Sequence, residues 1–188
     1  MKLAFVVMLI AASMSAQDAV PAFSPLSTCG PMSAMFQIKM DDTQSPNVTP
    51  EPGKAVVYVI EDQQFKAAKD VIVRIGLDGA WVGATRGDSY LSFPVEPGEH
   101  HLCANIMPGL LSTGRRVSLF GLTTEAGGVY YFRARTIGGA SSAMDRNGLD
   151  ATISIDLDLL NRDEGKFLVA FSTRSVSNAR PVKPEKGK

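Results

Sequence analysis

The stretch SFPVEPGEHHLCAN, residues 92–105, carries both histidines of the chain and one of its two cysteines. Imidazole and thiolate are the common ligands of zinc and copper, and imidazole is the commonest general base. His100, His101 and Cys103 are therefore the first candidates for chemistry. Their spacing speaks against it. Neighbouring residues of a strand point to opposite faces, so His100 and His101 cannot grip one ion from a regular strand. His101 and Cys103 share a face, but a closed metal site needs two further ligands. Glu96-Pro97-Gly98-Glu99 has the chemistry of a tight turn: proline fixes φ and glycine admits the left-handed region. The stretch reads as a hairpin with the histidine pair at its rim, and no metal or other cofactor is expected.

Cys103 has one possible intramolecular partner, Cys29. An even cysteine count in an exported chain predicts a disulfide. The bridge would enclose 74 residues, and chain entropy then favours the folded state by about 4 kcal/mol. Other chemistry is thinly supported. Neither a Gly-x-Ser-x-Gly elbow nor a His-Glu-x-x-His helix occurs, so no catalytic residue is assigned and the chain is not expected to be an enzyme. Trp81 with Arg74 could form a sugar platform. Met32, Met35, His101 and Cys103 could be read as copper ligands, although methionine more often fills space.

The N-terminus has one lysine, then ten apolar residues from Leu3 to Ala12, then small residues up to Ala16. This is the pattern of a secretory signal peptide over residues 1–16. As a helix the apolar run rises about 15 Å, too short to span a bilayer core. No later run reaches spanning length. The chain is expected to be exported, periplasmic or secreted. Leu26-Ser27-Thr28-Cys29 is a poor lipidation box, because the cysteine lies far beyond the apolar run. That argues against a lipid anchor. Charge is balanced, with 19 basic and 19 acidic residues. A dedicated nucleic-acid partner is not expected, since such a partner requires a basic excess to displace counterions.

The remaining pattern is short strands. Residues 35–40 alternate with Phe36, Ile38 and Met40 on one face, and residues 54–60 are a continuous apolar run. Asp78-Gly79 joins 70–77 to 80–84 and is a strong hairpin signal. Its register sets Leu77 against Ala80, Gly76 against Trp81 and Ile75 against Val82. Residues 89–95 alternate, with Pro94 suggesting a sheet edge. Residues 115–122, 129–135 and 151–157 complete the set. Gly138 to Gly148 reads as a mobile loop. Asn161 begins a short helix, with Phe167, Leu168 and Phe171 at helical spacing and Gly165 weakening it. The expected fold is all-β, an antiparallel β-sandwich of seven or eight strands with one short C-terminal helix. Residues 17–34 form an extended leader, 35–172 a single β-sandwich domain and 173–188 a disordered tail.

Four ordered motifs carry a family resemblance: PEPGKAVVYV (50–59), GLDGAWVG (76–83), VEPGEH (95–100) and AGGVYYF (126–132). Over about residues 50–172 the chain resembles the exported bacterial family catalogued as domain of unknown function 2846, with hairpins similar to the PEGA type of small β domain. The resemblance implies an extracytoplasmic β-rich domain, often a lipoprotein, and no established activity. This N-terminus departs from the lipoprotein members. The expected function is a non-catalytic structural or partner-binding module of the bacterial cell envelope, its partner an envelope protein or glycan. The other reading is a periplasmic binder of a small ligand or metal, with Trp81, Arg74, His100 and His101 as the ligand-binding residues.

Overall fold

The computed structural model describes residues 29–43, 48–62, 70–107, 117–145 and 148–180, with the side chains of 139–152 excepted. Residues 1–28, over which a signal peptide and most of a leader are expected, and residues 181–188 lie outside them.

Ten strands and one helix follow in the order β1 (Met35–Asp41), β2 (Ala55–Glu61), β3 (Ile72–Leu77), β4 (Ala80–Arg86), β5 (Ser89–Val95), β6 (Gly98–Ile106), β7 (Val117–Thr124), β8 (Val129–Asp145), β9 (Gly148–Leu160), α1 (Arg162–Phe171) and β10 (Thr173–Arg180). They form a six-stranded sheet, β1-β10-β5-β2-β8-β9, and a four-stranded sheet, β4-β3-β6-β7. The all-β sandwich with a short helix is as expected. The strand count is higher, and two pairs, β2–β8 and β10–β5, are parallel.

The core lies between the sheets. Val57 and Val59 of β2 meet Val73 and Ile75 of β3, Leu102 and Ala104 of β6, and Phe132 of β8. A second apolar layer covers the opposite face of the larger sheet, where Val56, Tyr58, Ile60, Tyr90 and Tyr131 pack with Val169 of α1. Strand β2 is thus buried on both faces, which is why it reads as an unbroken apolar run rather than an alternating one. Tyr58 and Tyr131 stack with centroids 5.0 Å apart.

Two serines join the sheets at their flanks. The Ala84 amide of β4 donates to Ser177 Oγ of β10 at 3.0 Å, and the Leu157 amide of β9 donates to Ser118 Oγ of β7 at 3.1 Å. Each bond satisfies a backbone donor on an edge strand, which would otherwise be a template for pairing with another chain.

Several expectations are corrected. Residues 138–145 and Gly148 are not loop: they belong to β8 and β9, which pair Gly138 with Ile153 and Met144 with Leu149. Glycine, alanine and serine there suggested a loop, but ladder bonds come from the backbone and tolerate small side chains. Residues 173–180 are not a tail. They form β10, which pairs along all of β1 and touches β5 at Ser89 and Tyr90. Strand β5 is accordingly interior at its start. Beyond Tyr90 only β2 accompanies it, so Pro94 does lie where one side of the strand is unpaired. The Asp78-Gly79 hairpin has the expected register at its tip and then slips: Ile75 faces Gly83 across a bulge.

Asn161 caps α1, its side-chain oxygen accepting from the Glu164 amide at 2.9 Å. Gly165 has a packing reason: a Cβ there would collide with the Cβ and ring of Tyr131. Gly→Ala within a helix ordinarily stabilises by about 1 kcal/mol. Here the sign should reverse. We expect Gly165→Ala to lose about 1–3 kcal/mol through overpacking, read as a lower thermal unfolding midpoint.

Candidate functional site

Most of the chemically capable side chains of the sequence gather on the outer face of the four-stranded sheet, His100 being the exception. On β3 and β6 the residues Val73, Ile75, Leu102 and Ala104 enter the core. Alternation therefore turns Arg74, Gly76, His101, Cys103 and Asn105 the other way. The segment from Cys29 to Ala34 lies across that face, joined to it by the Cys29–Cys103 disulfide with Cα atoms 5.4 Å apart. The backbone of Cys29 passes so close to Gly76 that a Cβ at Gly76 would overlap the Cys29 carbonyl oxygen. That approach is what the glycine permits.

Beneath this strap Arg74 has no exposed surface. Its Nη1 donates to the carbonyls of Met32 at 3.0 Å and Ala34 at 2.9 Å, and its Nε donates to Asn105 Oδ1 at 3.0 Å. Its Nη2 also faces Asn105 Oδ1 and, at 3.8 Å, the Met32 sulfur. Trp81 completes the enclosure, its ring centroid 4.6 Å from Arg74 Cζ and its Nε1 donating to the Pro31 carbonyl at 2.8 Å. Burial pushes the Arg74 pKa below its usual value, yet a guanidinium so basic keeps its proton at neutral pH. Carbonyl oxygens, an amide oxygen and a π-face solvate the charge in place of water. Arg74 and Trp81 are thus brought together, but their polar atoms are spent on the strap.

The histidines separate, as strand geometry requires. His100 Nδ1 lies 2.7 Å from Asp78 Oδ2 and its Nε2 lies 2.8 Å from the Glu96 carbonyl. Both neighbours are acceptors, so only the doubly protonated ring satisfies both. Desolvation lowers the His100 pKa, but the Asp78 and Glu96 hydrogen bonds outweigh it and hold the pKa above the usual 6.5. A doubly protonated imidazole offers no lone pair to a metal or a substrate proton. The His101 ring is 71 % exposed, while its backbone amide donates to Asp78 Oδ1 at 2.7 Å. Asp78 is the residue that sequence reasoning missed. It sits in the turn with φ 51° and returns its own amide to the His101 carbonyl at 3.0 Å. Its one signal was a carboxylate in an Asp-Gly turn, and the turn alone explained it.

Met32 and Met35 are partly exposed on the strap, and Cys103 is consumed by the disulfide. Among the described residues no group of three or more His, Cys, Asp and Glu is placed to hold a metal ion. None of the helices among them is long and apolar enough to cross a membrane.

Two expected outcomes follow from this geometry. A Cys29→Ser, Cys103→Ser variant should lose about 4 kcal/mol of stability in chemical denaturation. Trp81 emission should shift to the red at a lower denaturant concentration than the far-ultraviolet signal changes, because the strap leaves first. The Asp78–His100 pair sets a pH window. The raised His100 pKa contributes stability that is complete below the unfolded value of 6.5 and is lost as pH rises through the folded value. The Asp78 pKa is lowered from 3.8, since its bonds to His100 and His101 outweigh desolvation, and its contribution is lost as pH falls through that lowered value. Denaturation midpoints should be highest between about pH 4 and pH 6.5, and the alkaline decline should flatten in Asp78→Asn.

No family model, curated protein or solved structure matches the chain.

Proposed function

We propose that the chain is a non-catalytic, exported structural or partner-binding module of the bacterial cell envelope. One observation carries this reading. Most side chains that could have done chemistry are used to fasten the fold, the exposed ring of His101 excepted: Cys29 and Cys103 in a bridge, Arg74 and Trp81 under the strap, His100 between two acceptors. A group with both polar ends occupied by the protein has none left for a substrate. Export is supported by the disulfide, which persists in oxidising compartments, and by the signal-like residues 1–16. The resemblance to the family of unknown function 2846 supports the same compartment.

The experiment combines chemistry and complementation. Mass spectrometry of the protein from its host should show loss of residues 1–16 and the mass of a formed disulfide. In a host lacking the protein, a His100→Gln, His101→Ala variant should restore the envelope phenotype as fully as the parent chain, because no imidazole chemistry is required. Failure of this variant, with its fold intact by near-ultraviolet circular dichroism, would return the histidines to a functional role. An intact N-terminus with free thiols would remove the compartment.

A further inference from the structure

A guanidinium carries five N–H donors, and Arg74, with no exposed surface, has no water to complete them. Four of the five are met by oxygen. Nη1 donates to the carbonyls of Met32 and Ala34, and Nε and Nη2 both donate to Asn105 Oδ1. The remaining Nη2 hydrogen has the Met32 thioether as its acceptor, with the sulfur 3.8 Å from the nitrogen. Thioether sulfur is a weak acceptor. The fifth donor is therefore the one poorly met group in an otherwise complete shell around a buried charge, where an unmet donor is costly.

That sulfur is also open to solvent. Met32 is 38 % exposed and Met35 37 %, so the two are equally accessible, but only Met32 lies against a donor. Hydrogen peroxide oxidises such a sulfur by two electrons: its O–O bond breaks, an S–O bond forms, and the peroxide leaves as water. The product ordinarily harms a fold, because a polar sulfoxide replaces an apolar side chain. At Met32 the balance reverses. The oxygen joins the sulfur on its solvent side, and the unbranched side chain, with three rotatable bonds, can turn it onto Nη2. A hydrogen bond from a cation is about twice as strong as one between neutral groups, and the sulfoxide oxygen accepts far better than the thioether it replaces. The Met32 carbonyl already holds the residue beside the guanidinium, so little freedom is lost.

We propose that Met32 is an oxidation site at which a peroxide converts the thioether into a full acceptor for Arg74 and so tightens the strap. The site is independent of the envelope role, and either can fail without the other. The test uses the full chain with its disulfide formed. In a Met35→Leu background, limited hydrogen peroxide should add one oxygen, which fragment mass spectrometry should place on Met32. The denaturation midpoint of that fraction should rise above that of the untreated protein, and the side-chain N–H resonances of Arg74 should shift. In a Met32→Leu background, oxygen placed on Met35 should bring no such rise. Met32→Gln supplies an amide oxygen at the same place without oxidation, and should be more stable than Met32→Leu. A midpoint that falls or stays level with oxygen on Met32, an equal rise with oxygen on Met35, or no uptake of oxygen by Met32 under conditions that oxidise Met35 in the parent chain, overturns the site. So does a Met32→Gln chain no more stable than Met32→Leu.

Discussion

A fully buried guanidinium must have its N–H groups met by acceptors, or it destabilises the fold that contains it. Arg74 is that group, and the surrounding architecture follows from solvating it. Its acceptors come from Asn105 on the neighbouring strand and from carbonyls of a segment some 40 residues earlier in sequence. That segment must therefore cross the sheet at one height and in one direction. The disulfide to Cys103 holds it there, Gly76 leaves room for it, and Trp81 closes over the remaining face of the cation. Remove the strap and the charge is left against a sheet with too few oxygens.

The Asp78 carboxylate is a smaller instance of the same logic on the same sheet. One oxygen takes the His100 ring, the other the His101 amide, so a single side chain ties the β3–β4 turn to β6. Together the two clusters account for the conspicuous polar residues of the chain by structural need.

Much of the fold is legible from local chemistry. Asp78-Gly79 announces its turn, Asn161 its helix start, and the two-sided apolar run its central strand. The pairing of Cys29 with Cys103 follows from there being two cysteines. What stays hidden is non-local. Residues 173–180 are polar and exposed along much of their length, so nothing in their composition separates an outer strand pair from a free tail. Their role comes from β1, which needs a neighbour, and from Ser177, which bonds to β4. Likewise the small residues of 138–148 pair through backbone groups, which sequence composition does not reveal. The Arg74 and His100 environments stay hidden for a related reason. A reactive side chain and a fastening side chain look alike in sequence, and their partners decide between them. Those partners lie 22 residues from His100, in Asp78, and 42 and 40 residues from Arg74, in Met32 and Ala34.

Strand β10 has a consequence for how the molecule is made. The first strand of the fold has the last one as its sole sheet neighbour, and that last strand lies between it and β5. As the chain emerges amino end first, β1 waits without its partner until nearly every other element has appeared. Closing so distant a pair late in the process is a slow, high-contact-order event. Until it happens, an unpaired strand remains available to other molecules. Assembly is thus gated by the carboxyl end, and a chain truncated before Thr173 has no route to the finished six-stranded sheet.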